Sequence, residues 1–96
     1  MIKTFADKMT EDIYQGVNSR YARKLPVVLQ AKARRLLDQL ESATQIETLR
    51  VPPSNKLGKL TGNLAGHWRI KIDKQWAIIF KWDNQHAYDV KLIDYH

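Results

Sequence analysis

The chain contains no cysteine in its 96 residues, which excludes a disulfide framework and a thiolate zinc site. No apolar run approaches the roughly 20 residues that a membrane-spanning helix needs. The opening segment, Met1-Ile2-Lys3-Thr4-Phe5, lacks the apolar stretch of a secretory signal, so a cytoplasmic protein is expected. There is no internal repeat and no low-complexity tract. The histidines at 67, 86 and 96 do not have metal-ligand spacing, and neither a metal nor another cofactor is expected. Gly58, Gly62 and Gly66 recur every fourth residue, but no apolar strand precedes them. They form neither a P-loop nor a dinucleotide fingerprint and read as turn glycines. Acidic residues are scarce where basic ones are dense: residues 50–82 hold seven Lys or Arg against Asp73 alone.

What is present fits one domain spanning residues 1–96, with 44% hydrophobic and 27% charged residues. The net charge is +6. Besides the 50–82 block, six basic residues and no acid lie between Arg20 and Arg35. Charge clustered in this way attracts polyanions and speeds their encounter.

Local chemistry predicts the elements. Ile2 to Phe5 reads as a short edge strand. Asp7 is an N-cap and Gly16 a left-handed stop, giving a first helix near 8–15. Asn18 to Lys24 is a basic connector. Pro26 suits the first turn of a second helix, whose apolar stripe is Leu25, Leu29, Ala33, Leu36, Leu37 and Leu40. Thr44 and Glu47 have capping-box spacing before a short helical turn near 45–49, and Pro52-Pro53 ends it. Residues 54–66 read as a loop, with a brief turn or strand near 57–60. Three runs of alternating polarity follow, at 67–72, 76–82 and 88–93, with turns at 73–74 and 83–85. The expected fold class is α+β, with two N-terminal helices packed on a curved antiparallel sheet. Parity puts His67, Arg69, Lys71, Lys81, Asp89, Lys91 and Tyr95 on the open face, with Ala77 and Ile79. It puts Trp68, Trp76 and Trp82, together with Tyr88, Val90 and Leu92, on the core side.

The chain ends on Asp94-Tyr95-His96, three proton-handling groups in a row. Beside a basic sheet they suit RNA backbone cleavage. That reaction needs a base for the 2′-hydroxyl proton, an acid for the departing 5′-oxygen, and cations around the phosphate. Lys56, Lys59, Arg69 and Lys71 are candidates for the cations. A tyrosine at a strand end is more often an anchor than a catalyst, and tryptophans on a core face pack more often than they stack on bases.

Several segments resemble the HigB-type toxins, or plasmid maintenance killer proteins, of the RelE/ParE superfamily. These are Pro52-Pro53-Ser54-Asn55-Lys56-Leu57, Leu60-Thr61-Gly62, Gly66, Gln75-Trp76-Ala77-Ile78-Ile79-Phe80 and the final Asp94-Tyr95-His96. The likeness extends over essentially the whole chain, including Ile2-Lys3-Thr4-Phe5 and Leu37-Asp38-Gln39-Leu40. It implies a metal-independent mRNA endonuclease that acts in the A site of the small ribosomal subunit. It also implies a HigA-type antitoxin with a helix-turn-helix domain. The resemblance assigns catalysis to Asp94, Tyr95 and His96, and to Lys56, where arginine is usual. Lys59, Arg69, Lys71 and Lys81 would line the mRNA, and Arg34 and Arg35, with Arg20 and Arg23, would grip ribosomal RNA.

Position 77 departs from this pattern, since the resemblance implies arginine where the chain has Ala77. A guanidinium there would clamp the scissile phosphate. The expectation is that Ala77 is an engineered substitution that attenuates the toxin, against natural divergence to a weak enzyme or plain packing. Ser54, Gly58 and Lys71 replace a usual glycine, glutamate and arginine. Two rival functions remain on the same scaffold: a non-nucleolytic inhibitor like the gyrase-poisoning ParE branch, and an inactive module that binds RNA or the antitoxin.

Overall fold

A computed structural model describes residues 1–95. Helix α1 (Lys8–Gln15) and helix α2 (Val27–Ser42) precede a four-stranded antiparallel sheet in the order β1 (Gly58–Lys59), β2 (Trp68–Lys71), β3 (Trp76–Asp83), β4 (His86–Asp94). Short 3-10 turns occupy Ala22–Lys24, Ile46–Arg50, Pro53–Asn55 and Gly62–Leu64. Among the described residues no helix is long and apolar enough to cross a membrane.

Helix α1 begins and ends where its cap residues dictate. The Asp7 carboxylate accepts from the Thr10 amide at 2.9 Å. Gly16 closes the helix at φ +73, where a side chain would be strained. Helix α2 starts one residue later than Pro26 suggests, because Pro26 sits at the N-cap with φ −50 and ψ 134, outside the helical region. Its buried stripe is Ala33, Leu36, Leu37 and Leu40. Thr44 does not act as a cap: the next turn starts at Ile46 behind Gln45, with no side-chain cap bond.

The inner face of the sheet presents Ile70, Ile78, Phe80, Val90 and Leu92, which join Met9, Ile13, Leu36, Leu37 and Leu40 in one buried cluster. Trp68, Trp76 and Trp82, partly buried, pack at its margin. Thr10, fully buried, ties the layers together. Its hydroxyl accepts from the Leu92 amide at 2.9 Å and donates to Asp7 at 2.6 Å. The segment from Ile2 to Phe5 adds two parallel bridges along β4, Ile2 with Ala87 and Phe5 with Val90.

Two turns follow from side-chain chemistry. Asp73 accepts from the amides of Gln75 and Trp76 at 2.8 and 2.7 Å, which closes the β2–β3 corner. Asn84 and Gln85 both have positive φ, as a two-residue hairpin with the twist of its strands requires.

One strand departs from simple alternation. Between the Ile79–Lys91 and Lys81–Tyr88 pairs the register shifts, and Asp89 sits there at φ +52. This β-bulge puts one extra residue into β4 and reverses its parity. Tyr88, expected in the core, therefore pairs with Lys81 on the outer face, while Ala87 and Val90 are fully buried. The bulge is held by Thr4, whose hydroxyl accepts from the Asp89 amide at 2.8 Å.

Candidate nucleic-acid interface and active site

The outer face of the sheet is laid out in rows by strand pairing. Arg69, Ile79 and Lys91 form one row, and Lys71, Ala77 and Ile93 the next. Tyr95 lies one step beyond, where its backbone amide donates to the Gln75 carbonyl. From there its side chain reaches back to Arg69, whose Nη1 donates to the Tyr95 hydroxyl at 2.8 Å. The guanidinium lies 5.3 Å from the Tyr95 ring centroid. The pair therefore spans the row that holds Ala77.

Arg69 has a second engagement. Its Nη2 and Nε donate to the Lys56 carbonyl at 3.2 and 3.4 Å. Lys56 needs such support, because it adopts φ +51, a conformation that costs a non-glycine residue energy. The planar fork of one guanidinium thus joins the 53–56 loop to the last strand. Gly58 lies beside it: a Cβ there would meet Arg69 Nη2 at 3.1 Å, so a side chain at this position would require the guanidinium to shift by a few tenths of an ångström.

Ala77 and Ile79 belong to this outer face, but they are 0% and 4% exposed. The face is thus not an open plane of cations. Ala77 is covered, and the Tyr95–Arg69 pair crosses above its row. The side chain of Lys71, beside Ala77, makes no hydrogen bond or ion pair among the described residues. The Asp73 carboxyl is held below its ordinary value, first by the Trp76 amide and then by that of Gln75, with Lys32 and Lys71 adding charge stabilisation.

The remaining sequence candidates are dispersed. Asp94 pairs with Trp76, on the opposite parity to Tyr95, and its carboxylate accepts from Gln75 Nε2 at 3.0 Å. Lys59 pairs with Trp68 and stands 5.2 Å from that ring, away from the Arg69 row. Lys81 lies 3.7 Å from Asp89 near the bulge, four residues from Ala77 and so about 13 Å along the strand. Arg34 and Arg35 are exposed on α2, in the layer behind the sheet. They diverge: Arg34 lies over Gly16, in a cleft with Asp12 and Val17, whereas Arg35 faces Ser54 and Asn55. His96 lies outside the described residues. Among the described residues no group of three or more His, Asp or Glu side chains is placed to hold a metal ion.

Sequence reasoning missed the connecting parts. Gln75 anchors both the backbone of Tyr95 and the side chain of Asp94. Arg69 holds loop and terminus together, where the sequence marks it only as one more cation. No local signal marks either role, because both partners are distant in sequence.

Comparison with known proteins agrees with this architecture. Residues 3–96 match the family model for HigB-like toxins, described as RelE-like toxins of the type II toxin-antitoxin system HigB. Toxin HigB-1 of Vibrio cholerae is 34% identical over 82 residues, covering 85% of this chain and 84% of that protein. Endoribonuclease HigB of Proteus vulgaris is 31% identical over 97 residues, with both chains fully covered. Among solved structures, a point mutant of YafQ from E. coli superposes with a TM-score of 0.62 at 15% identity, over 96% of this chain and 91% of that one. A chain of the YoeB-YefM complex from Staphylococcus aureus gives 0.54 at 14% identity, over 100% of this chain and 98% of that one. These likenesses show a shared fold, and the sequence match shows descent: the chain belongs to the HigB-like toxin family of type II toxin-antitoxin systems.

Proposed function

We propose that this chain is the toxin of a type II pair and an endoribonuclease that cuts mRNA in the ribosomal A site by attack of the RNA 2′-hydroxyl. The observation that carries the reading is the Arg69 fork, which sets the Tyr95 hydroxyl beside the Lys56 loop on a cationic face. In this reaction the 2′-oxygen bonds to phosphorus and the bond to the 5′-oxygen breaks, leaving a cyclic phosphate and a 5′-hydroxyl. Because the nucleophile is in the RNA, the protein supplies only proton transfer and charge.

Tyr95 suits the acid role. Arg69 donates to its oxygen, so the hydroxyl proton points away from the guanidinium. The positive charge would stabilise the phenolate left when that proton passes to the 5′-oxygen. Lys71 and the Lys56 ammonium would steady the phosphate. The final Asp94-Tyr95-His96 leaves His96 as the natural candidate for base, with Asp94 orienting the chain end through Gln75. Cations elsewhere, including Lys59, Lys81, Arg34 and Arg35, would contact RNA away from the scissile bond. The cell compartment is then the cytoplasm, where ribosomes translate, and the neutralising partner is a HigA-type helix-turn-helix antitoxin.

Primer extension on mRNA from a translating extract tests this directly. Cuts within codons that require the ribosome, and that Tyr95→Phe slows, support the reading. Intact mRNA at all toxin concentrations would overturn it. One observation favours an alternative, an inactive module that binds RNA or antitoxin: Ala77 brings no guanidinium to the floor of the site and is fully covered. On this account Ala77 attenuates the enzyme.

A further inference from the structure

Between α2 and the segment from Pro52 to Asn55 runs a cleft of about 350 Å³, lined by Lys32, Arg35, Leu36, Gln39, Pro52, Ser54 and Asn55. Its size is at the lower end of the roughly 300–1,000 Å³ typical of small-ligand sites, and it would admit one nucleotide unit.

Helical spacing builds its cationic wall. Lys32, Arg35 and Gln39 are three and four residues apart and share one face of α2. No carboxylate lines the cleft. The acids of α2 turn elsewhere: Asp38 and Glu41 act on Tyr14 of α1, and Glu41 also accepts from the Ile2 amide at 2.9 Å. Arg35 is exposed and has no hydrogen-bond or ion-pair partner among the described residues. The opposite wall is held by side-chain hydrogen bonds. Asn55 is 3% exposed, and its Nδ2 donates to the Leu49 carbonyl at 3.0 Å and to Gln39 Oε1 at 3.2 Å. Gln39 in turn donates to the Val51 carbonyl at 2.8 Å. Side chains already held by hydrogen bonds lose less freedom when a ligand binds beside them.

Each wall of the cleft is linked to a residue of the Arg69–Tyr95 face by sequence or by a hydrogen bond. Asn55 is followed by Lys56, whose carbonyl Arg69 holds. The Lys32 ammonium donates to the Ile72 carbonyl, next to Lys71. We propose that this cleft is a second RNA-backbone subsite. In it Arg35, Lys32 and the Ser54 hydroxyl bind a phosphodiester of single-stranded RNA close to the one being cut, and Pro52 forms an apolar wall for the sugar. The inference rests on the reading of the chain as an RNA-binding toxin and adds where the strand continues. The phosphodiester can come from the mRNA itself or from ribosomal RNA, and the two sources separate by assay.

The test is the variant Arg35→Gln with Ser54→Ala, neither of which removes a described hydrogen bond. Binding is measured to a fully 2′-O-methylated, uncleavable RNA 10-mer and to vacant ribosomes, across a salt series. A subsite for mRNA predicts about 5- to 20-fold weaker 10-mer binding, with the log–log salt slope reduced by about 0.7 for the lost cation. A subsite for ribosomal RNA predicts an unchanged 10-mer affinity with a similar loss on ribosomes. Unchanged affinity and slope on both overturns the proposal. Tyr95→Phe and parent protein are carried in parallel in the cleavage assay. If the parent binds and cuts RNA but the cleft variant matches it, the subsite alone is wrong. If the parent binds neither probe, the RNA-toxin reading fails with it.

Discussion

The Arg69–Tyr95 contact gives the sharpest test of how the site is assembled. Arg69→Ala removes the 2.8 Å bond to the tyrosine hydroxyl, the guanidinium 5.3 Å from its ring, and two bonds to the Lys56 carbonyl. Tyr95→Phe removes only the hydroxyl bond and keeps the ring. A hydrogen bond to a charged donor contributes roughly 1.5–3 kcal/mol. Both residues are partly exposed, and solvent competition lowers the coupling to about 1 kcal/mol, a factor of about five in an equilibrium constant. A double-mutant cycle in urea unfolding should therefore show that Arg69→Ala costs less stability in the Tyr95→Phe background than in the parent. The same non-additivity should appear in cleavage if Arg69 acts through Tyr95. Arg69→Lys should restore little, because an ammonium cannot fork to both the hydroxyl and the Lys56 carbonyl. Effects that add within about 0.3–0.5 kcal/mol would show the two residues to be independent and refute the hub.

Three further outcomes are expected. Ala77→Arg should raise cleavage on translating ribosomes by about 10²-fold. It should cost about 1–3 kcal/mol of stability, since the new side chain must displace what covers a 0% exposed position; unchanged cutting by a folded variant would end the attenuation idea. Thr10→Val leaves the buried Leu92 amide unpaired and should cost about 1–3 kcal/mol in urea unfolding, with faster exchange of that amide, whereas Thr10→Ser should retain most of the stability. Asp73 has a folded pKa below its ordinary value of 3.8, through the Trp76 and Gln75 amides. Its charged form therefore stabilises the fold above that value, and the contribution is lost as pH falls through the folded pKa. Urea midpoints for Asp73→Asn and parent should accordingly differ most near neutral pH and converge in acid, and a constant gap would contradict the assignment.

Much of the architecture was legible because its causes are local. Asp7 and Gly16 bound α1 through groups within a few residues, and the stripe of Ala33, Leu36, Leu37 and Leu40 marks the buried face of α2. Alternation placed Trp68, Ile70, Ile78 and Phe80 inward on β2 and β3. On β4 the same alternation placed Val90 and Leu92 inward but failed at Tyr88, because a bulge at Asp89 leaves no mark in the period-2 pattern except the reversal it causes. Thr4, which holds that bulge, is 85 residues away. Among the site candidates, basic residue type did not tell which cations share a surface. Arg34 and Arg35 are neighbours in sequence, but the rotation between successive helix positions sends them to different clefts.

By itself, then, the sequence determined the periodicities, the caps, the excess of positive charge and the motifs that carry the family likeness, all of which depend on near neighbours or residue type. Only the tertiary structure decided that Arg69 meets both Tyr95 and Lys56, that their pair crosses the row of Ala77, and that Lys32 and Arg35 face Ser54. Those meetings depend on strand register and on how helices and loop pack over the sheet, which is a property of the whole chain's lowest free energy and of no single segment.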